Sequence, residues 1–277
     1  MNKETNILYH YTSLDILNHL FTDYSEKHPY ITFWATNCAY MNDPREVSEG
    51  IDLIKDALMD ISCPILRERA RVLIENEHIK DAMLIESPIT AHGIPYAISF
   101  SENKDNLNMW RMYGNSGRGI GLGFKKDKIK AEGCSLDECL YICEENRESV
   151  IYMLKQVFEE ILFKLGSAPK GMSQQEYDFV RSLEVISVIS TRIKNFVYSY
   201  EREIRLIKNC KQPKYRVANN ILTPYTTIEL PVDALVSIVV GPDCNERNIN
   251  SLRLFFLSKG LNRIVDNIET SQVPFRN

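Results

Sequence analysis

Short runs of β-branched and aromatic residues recur in the first 146 residues and again after residue 200, whereas the stretch from about 149 to 197 carries helical periodicity. Strands, then an α-rich segment, then strands again predict one α+β domain over 1–277 with a helical insertion at about 149–197. Two domains divided near residue 146 remain the alternative. At 277 residues the chain is long enough to bury a substantial core either way.

The strand-like runs fall at 7–11, 30–36, 96–101, 120–124, 139–144, 203–208, 226–230 and 235–240, with a last short one at 264–265. Thr12-Ser13-Leu14-Asp15 opens a helix, with Thr12 or Ser13 as its cap. Asn42-Asp43-Pro44 is an Asx-Pro turn that starts another helix, continued over 51–59 by apolar residues at helical spacing. Further helices are expected at 67–86, in the later part of 103–113, at 149–165, as one or two helices within 174–200, and at about 248–259.

Composition excludes several classes. Hydrophobic residues make up 44% and charged residues 25%, as in ordinary globular domains. A formal net charge of −4 gives no general electrostatic grip on nucleic acid, although a local basic patch is compatible with it. No stretch approaches the roughly 18 apolar residues of a membrane span. Met1-Asn2-Lys3-Glu4-Thr5-Asn6 is polar and has no signal-peptide apolar region, so the expected location is cytoplasmic. The seven cysteines are irregularly spaced, as reduced half-buried residues are. Cys134, Cys139 and Cys143 cluster, but their spacing and the lack of a nearby histidine do not fit zinc, and no metal is expected.

Several short motifs can carry chemistry. His10, Tyr11 and Thr12 end a strand just before a helix start, where free N–H groups suit a phosphate or ribose oxygen. A half-buried histidine bonded to a carbonyl explains His10 equally. Ser99 and Ser101 share one face of an apolar strand, which either lines a cleft or meets solvent. Trp110 and Tyr113 share a helix side and either stack on a ligand base or join the core. Gly117-Arg118-Gly119-Ile120-Gly121 contains G-x-G, but a strand follows it rather than a helix, so it is not a dinucleotide fingerprint. Arg118 in that loop is a candidate phosphate contact.

Tyr200-Glu201-Arg202-Glu203-Ile204-Arg205 is the sharpest local signal. On a strand, Glu201, Glu203 and Arg205 face one way, as a solvated edge or as the wall of a cleft with a working carboxylate. Arg205 would keep a neighbouring carboxylate ionised. Arg192 and Lys194 add positive charge just upstream.

Together with Leu8-Tyr9-His10-Tyr11-Thr12, Met41-Asn42-Asp43-Pro44, Ile98-Ser99-Phe100-Ser101-Glu102, Met109-Trp110-Arg111-Met112-Tyr113 and Gly119-Ile120-Gly121-Leu122-Gly123-Phe124, that segment resembles a bacterial family of unknown function that includes relatives of AbiGi abortive-infection components. The motif order is similar to that of ADP-ribosyltransferases. The resemblance implies an ADP-ribosyltransferase-like split β-sandwich with a helical insertion, with NAD as substrate. On it, Glu203 is the catalytic glutamate and Glu201 positions the acceptor. His10 takes the NAD-ribose position. Ser99 and Ser101 correspond to the middle serine-bearing strand, or Tyr113 to its aromatic. Tyr11, Thr12, Trp110, Arg118 and Arg205 complete the expected NAD contacts. The implied role is antiphage defence, with a protein or nucleic-acid acceptor, an antitoxin or phage component as partner, and no membrane. A non-catalytic sensor and an NAD glycohydrolase are the alternatives.

Overall fold

The computed structural model describes residues 6–41, 46–75, 94–218 and 220–275. The first half runs β1 (Ile7–Thr12), α1 (Ile16–Leu20), β2 (Tyr30–Asn37), α2 (Glu46–Met59), α3 (Pro64–Glu75), β3 (Ile94–Ser101), α4 (Leu107–Met112), β4 (Ile120–Lys125), β5 (Cys134–Glu138) and β6 (Leu140–Ile142). The second half runs α5 (Arg147–Lys164), α6 (Gln174–Ser190), β7 (Ile193–Asn195), β8 (Glu203–Cys210), β9 (Lys214–Ala218), β10 (Ile221–Pro231), β11 (Leu235–Val240), α7 (Glu246–Ser258), α8 (Asn262–Val265) and β12 (Ile268–Thr270). This is a mixed α/β architecture with one large sheet.

Strand β3 is where that sheet branches. One edge pairs with β8 along the whole strand, from Ile94 opposite Cys210 to Ser101 opposite Glu203. The other edge is shared: β2 takes Tyr96 and Ala97, and β1 meets it at Ser101. Between these contacts the sheet splits into an arm β1-β4-β11-β12 and an arm β2-β10-β9. The arms face each other across an apolar interior. Phe33 of β2 and Phe100 of β3 each meet Phe124 of β4 with ring centroids 5.7 Å apart. Helices α1 and α7 close this interior with Leu17, Leu20, Leu252 and Phe256. Alternation along β3 and β8 explains the sidedness: Ile98 and Leu206 enter this core, while Ala97 and Ile207 enter another.

The other core is helical. α2, α3, α5 and α6 pack on the Ala97–Ile207 face, so the helices at 149–197 join α2 and α3 in one layer. α6 starts with a capping box, Ser173 bonding the Glu176 amide and Glu176 bonding back. Arg69 of α3 reaches Asp178 of α6 through Nε at 2.8 Å and Nη2 at 2.6 Å.

Several local expectations need correction. Helix α1 is capped by Asp15, without a side-chain cap bond, because β1 runs on through Thr12. The helical period expected up to residue 200 stops at Ser190. The chain then forms β7, paired in parallel with β6, and a 3-10 turn over Phe196–Glu201. Residues 264–265 are helical, and the last strand comes later, at β12. The strand expected at 139–144 is confined to β6, Leu140–Ile142, and β5, at Cys134–Glu138 before it, was not expected. The Asn42-Asp43-Pro44 turn and residues 76–86 of the expected helix lie outside the described residues.

Gly119 marks a close approach at the end of β1. A Cβ there would strike the carbonyl oxygens of Thr12 and Gly114. Both atoms are backbone, so they cannot rotate away. Gly119→Ala is expected to lower the unfolding free energy by about 1–3 kcal/mol, read by urea denaturation.

Candidate functional site

The split at β3 opens into a cavity of about 590 Å³. His10, Tyr11 and Thr12 line it from β1, and Ser99 from β3. Glu201, Glu203, Arg205 and Tyr113 line it from the other side. These residues are far apart in sequence and are gathered here by the pairing of β1, β3 and β8.

His10 is held by both local chemistry and packing. Its ring lies edge-on to Phe33 and Phe100, at 5.3 and 5.9 Å. Its Nδ1–H donates to the Ser99 carbonyl at 2.9 Å. A carbonyl only accepts, so Nδ1 carries the proton and Nε2 is left as an acceptor. Burial pushes the His10 pKa below its ordinary 6.5, against the smaller opposing effect of the Ser99 bond. The ring is therefore expected to be neutral at pH 6.5 and to gain a proton only in more acidic solution. Because the folded pKa is the lower one, the stability this adds is present above 6.5 and lost as pH falls. Imidazole ¹⁵N–¹H NMR checks this: a ring half-protonated at or above pH 6.5 overturns it.

The two glutamates are not on one strand face. Glu201 ends the 3-10 turn, Arg202 takes a left-handed conformation with φ 44°, and Glu203 begins β8. A non-glycine residue in that region is sparsely populated and is held by its surroundings. Here the Arg202 carbonyl accepts the Glu102 amide at 3.2 Å. The kink brings both carboxylates to one ammonium. Lys194 of β7 donates to Glu201 Oε2 and Glu203 Oε2, each at 2.6 Å. Tyr113 donates to Glu201 Oε1 at 2.7 Å. Arg205 reaches Glu203 Oε1 from Nε at 2.8 Å and Oε2 from Nη2 at 3.0 Å, and it also donates to the Thr191 carbonyl at the end of α6.

All four charged residues are buried, so this is not a solvated edge. Burial alone would push the Glu203 carboxyl up. The Arg205 and Lys194 charges and their hydrogen bonds outweigh it and hold Glu203 well below the usual carboxylate range. Among the described residues, two carboxylates and two cations meet here, and their formal charges cancel.

Other expected contacts are engaged within the protein. Ser101 is buried, donates to the Glu201 carbonyl and accepts the Asn103 amide at 3.0 Å. It fixes the turn that carries Glu201 and is not part of the cavity lining. Trp110 is fully buried and its indole N–H donates to Asp105 at 2.6 Å. Tyr11 packs edge-on to Trp110 at 4.8 Å, and its hydroxyl donates to the Asn103 carbonyl at 2.8 Å. Arg118 is exposed in its loop, away from the cavity lining. Among the described residues no group of three or more His, Cys, Asp or Glu side chains is placed to hold a metal ion.

The sequence reading missed Trp34 and Arg216 on the β2-β10-β9 arm, both of which line the cavity. The alternation of Lys214-Tyr215-Arg216-Val217 was the available signal for β9. It also missed Tyr141, whose hydroxyl accepts the Glu203 amide at 2.8 Å.

A domain of the family described as Protein of unknown function (DUF2971) is found over residues 109–206. That segment runs from Met109 to Leu206 and contains Tyr113, Lys194, Glu201, Glu203 and Arg205, whereas His10 and Ser99 lie before it. No curated protein and no solved structure matches the chain.

Proposed function

We propose that the cavity binds a nucleotide and that the protein is an NAD-dependent ADP-ribosyltransferase-like enzyme built on a split β-sandwich. The observation that carries this is the convergence of His10, Ser99, Glu201 and Glu203 on one cavity at the point where the sheet splits. A cavity of about 590 Å³ is of the size small-molecule sites use.

In this reading the bond between the ribose C1′ and the nicotinamide nitrogen breaks, and its electron pair leaves with nicotinamide. The sugar becomes an oxocarbenium cation. Glu203 is ionised and buried, so its charge acts where water does not screen it. His10 Nε2 accepts from a ribose hydroxyl, and Glu201 orients the acceptor. The acceptor's oxygen or nitrogen then bonds to C1′ and gives up its proton to solvent water. A protein or nucleic-acid acceptor makes the protein a transferase; water makes it a glycohydrolase. Lys194 must shift from Glu203 for the carboxylate to face the sugar. The proposed role as a cytoplasmic antiphage effector, with an antitoxin or phage component as partner, rests on the resemblance to abortive-infection proteins.

One observation favours a second reading. Both carboxylates already have cationic partners. A nucleotide-sensing module would use the cavity and leave that cluster intact.

Incubating the protein with NAD, with and without host lysate, separates the readings. Nicotinamide release and ADP-ribose transfer are followed by mass spectrometry. Release that needs lysate supports a transferase, and release without it a glycohydrolase. NAD binding with no release under either condition favours the sensor.

A further inference from the structure

The cations beside the glutamates are engaged with carboxylates, but the opposite arm brings another cation into the cavity. Arg216 of β9 lines it together with Trp34 and Thr36 of β2. Its guanidinium carbon lies 5.0 Å from the Trp34 ring centroid and 5.9 Å from that of Tyr225. Its Nη2 donates to Thr36 Oγ1 at 3.1 Å. The guanidinium is thus oriented by two aromatic rings and one hydroxyl, with little rotamer freedom left to lose on binding.

Its charge has no carboxylate partner among the described residues, and its Nε is buried without a hydrogen-bond partner. A guanidinium offers five N–H donors in a planar fork. A buried donor left unsatisfied is costly, and an anion brought to this arm would relieve that cost. The fork matches the oxygens of a phosphoryl group, while Trp34 beside it offers an apolar face. The arrangement is that of a subsite for a phosphorylated ligand, not of a structural ion pair.

We infer that Arg216, steered by Thr36, Trp34 and Tyr225, is the anion-binding residue of the cavity and takes a diphosphate group. The identification of the ligand as a nucleoside diphosphate rests on the nucleotide reading of the cavity; the anion subsite itself does not. The two charged centres then divide the work. The β8 side holds the ionised carboxylates, and the β9 side holds the phosphates away from them.

The test is calorimetric titration of the full chain with ADP, inorganic pyrophosphate and adenosine, for the wild type, Arg216→Gln and Arg216→Lys. Urea denaturation confirms that each variant is folded. The wild type is expected to bind ADP and pyrophosphate. Arg216→Gln is expected to weaken both by about tenfold to hundredfold and to leave any adenosine affinity unchanged. Arg216→Lys keeps the charge but not the fork, so it should fall between them. Wild-type protein that binds neither ADP nor pyrophosphate overturns the inference, as does a folded Arg216→Gln that binds them like the wild type. Nicotinamide release by the wild type, measured separately, distinguishes the two proposals. Arg216-dependent pyrophosphate binding without release removes the NAD reading and keeps the subsite. Release with Arg216-independent ADP binding does the reverse.

Discussion

On the proposed NAD chemistry, Glu203→Gln is expected to reduce nicotinamide release by about 10²–10³-fold, the usual loss when one electrostatic stabiliser of a transition state is removed. It is also expected to destabilise the fold, by about 3 kcal/mol, as when one partner of a buried ion pair is neutralised. The sequence alone gives the first effect without the second, because a glutamate on an open strand face can be changed to glutamine without consequence for folding. The buried setting changes that expectation. Lys194 and Arg205 direct three N–H groups at the Glu203 carboxylate. A glutamine offers them one oxygen and turns an NH₂ group towards cations. Turnover must therefore be compared at a temperature where the variant is folded. The double variant Glu203→Gln/Lys194→Met separates chemistry from structure. Among the described residues of the cluster it leaves Glu201 and Arg205, one negative and one positive charge, so stability should partly recover while nicotinamide release should not. Recovery of turnover in the double variant would reduce Glu203 to a structural role.

Much of the sheet was legible because its strands are short apolar runs. β1, β2, β3, β4, β8, β10 and β11 all coincide with runs of β-branched and aromatic residues. What failed depends on partners distant in sequence. Ile193-Lys194-Asn195 continues a helical pattern by composition, yet it lies beyond the end of α6 at Ser190 and pairs with Leu140–Ile142. β9 escaped notice because it is an edge strand with exposed Tyr215 and Val217, and so lacks a buried face to announce it. Arg216 was lost with it. Within the site, residue types gave the chemistry but not the roles. Ser101 and Trp110 carry polar groups that a ligand could use, and the fold uses them on its own Glu201 carbonyl and Asp105 carboxylate. Glu201 and Glu203 read as a strand pair two residues apart, and the left-handed Arg202 between them could not be foreseen from a residue type that rarely adopts it.

Lys194→Met isolates the electrostatics of the cluster. Methionine fills most of the lysine's volume but leaves Glu201 and Glu203 facing each other across the space of one ammonium, with Arg205 still paired to Glu203. Loss of about 3–5 kcal/mol is expected at neutral pH. The pH dependence carries the sharper prediction. In the wild type the Glu203 pKa lies below the ordinary glutamate value of 4.5, so its stabilising contribution is complete above 4.5 and lost only as pH falls further. Without Lys194 one of the two cations that hold Glu203 low is gone, so the Glu203 pKa rises from its wild-type position. The variant then gains protons on folding in mildly acidic solution, where the wild type does not. Its stability deficit is expected to be largest above pH 7 and to narrow as pH falls towards 5. Urea denaturation at a series of pH values measures the difference directly. A deficit that stays constant over that range would assign the lysine's contribution to its ammonium over the Tyr198 ring, 5.1 Å from the centroid, and not to the carboxylates. A narrowing deficit would mean that one proton can do part of the lysine's work, which is the condition under which a ligand's own positive charge, such as a developing sugar cation, could take its place beside Glu203.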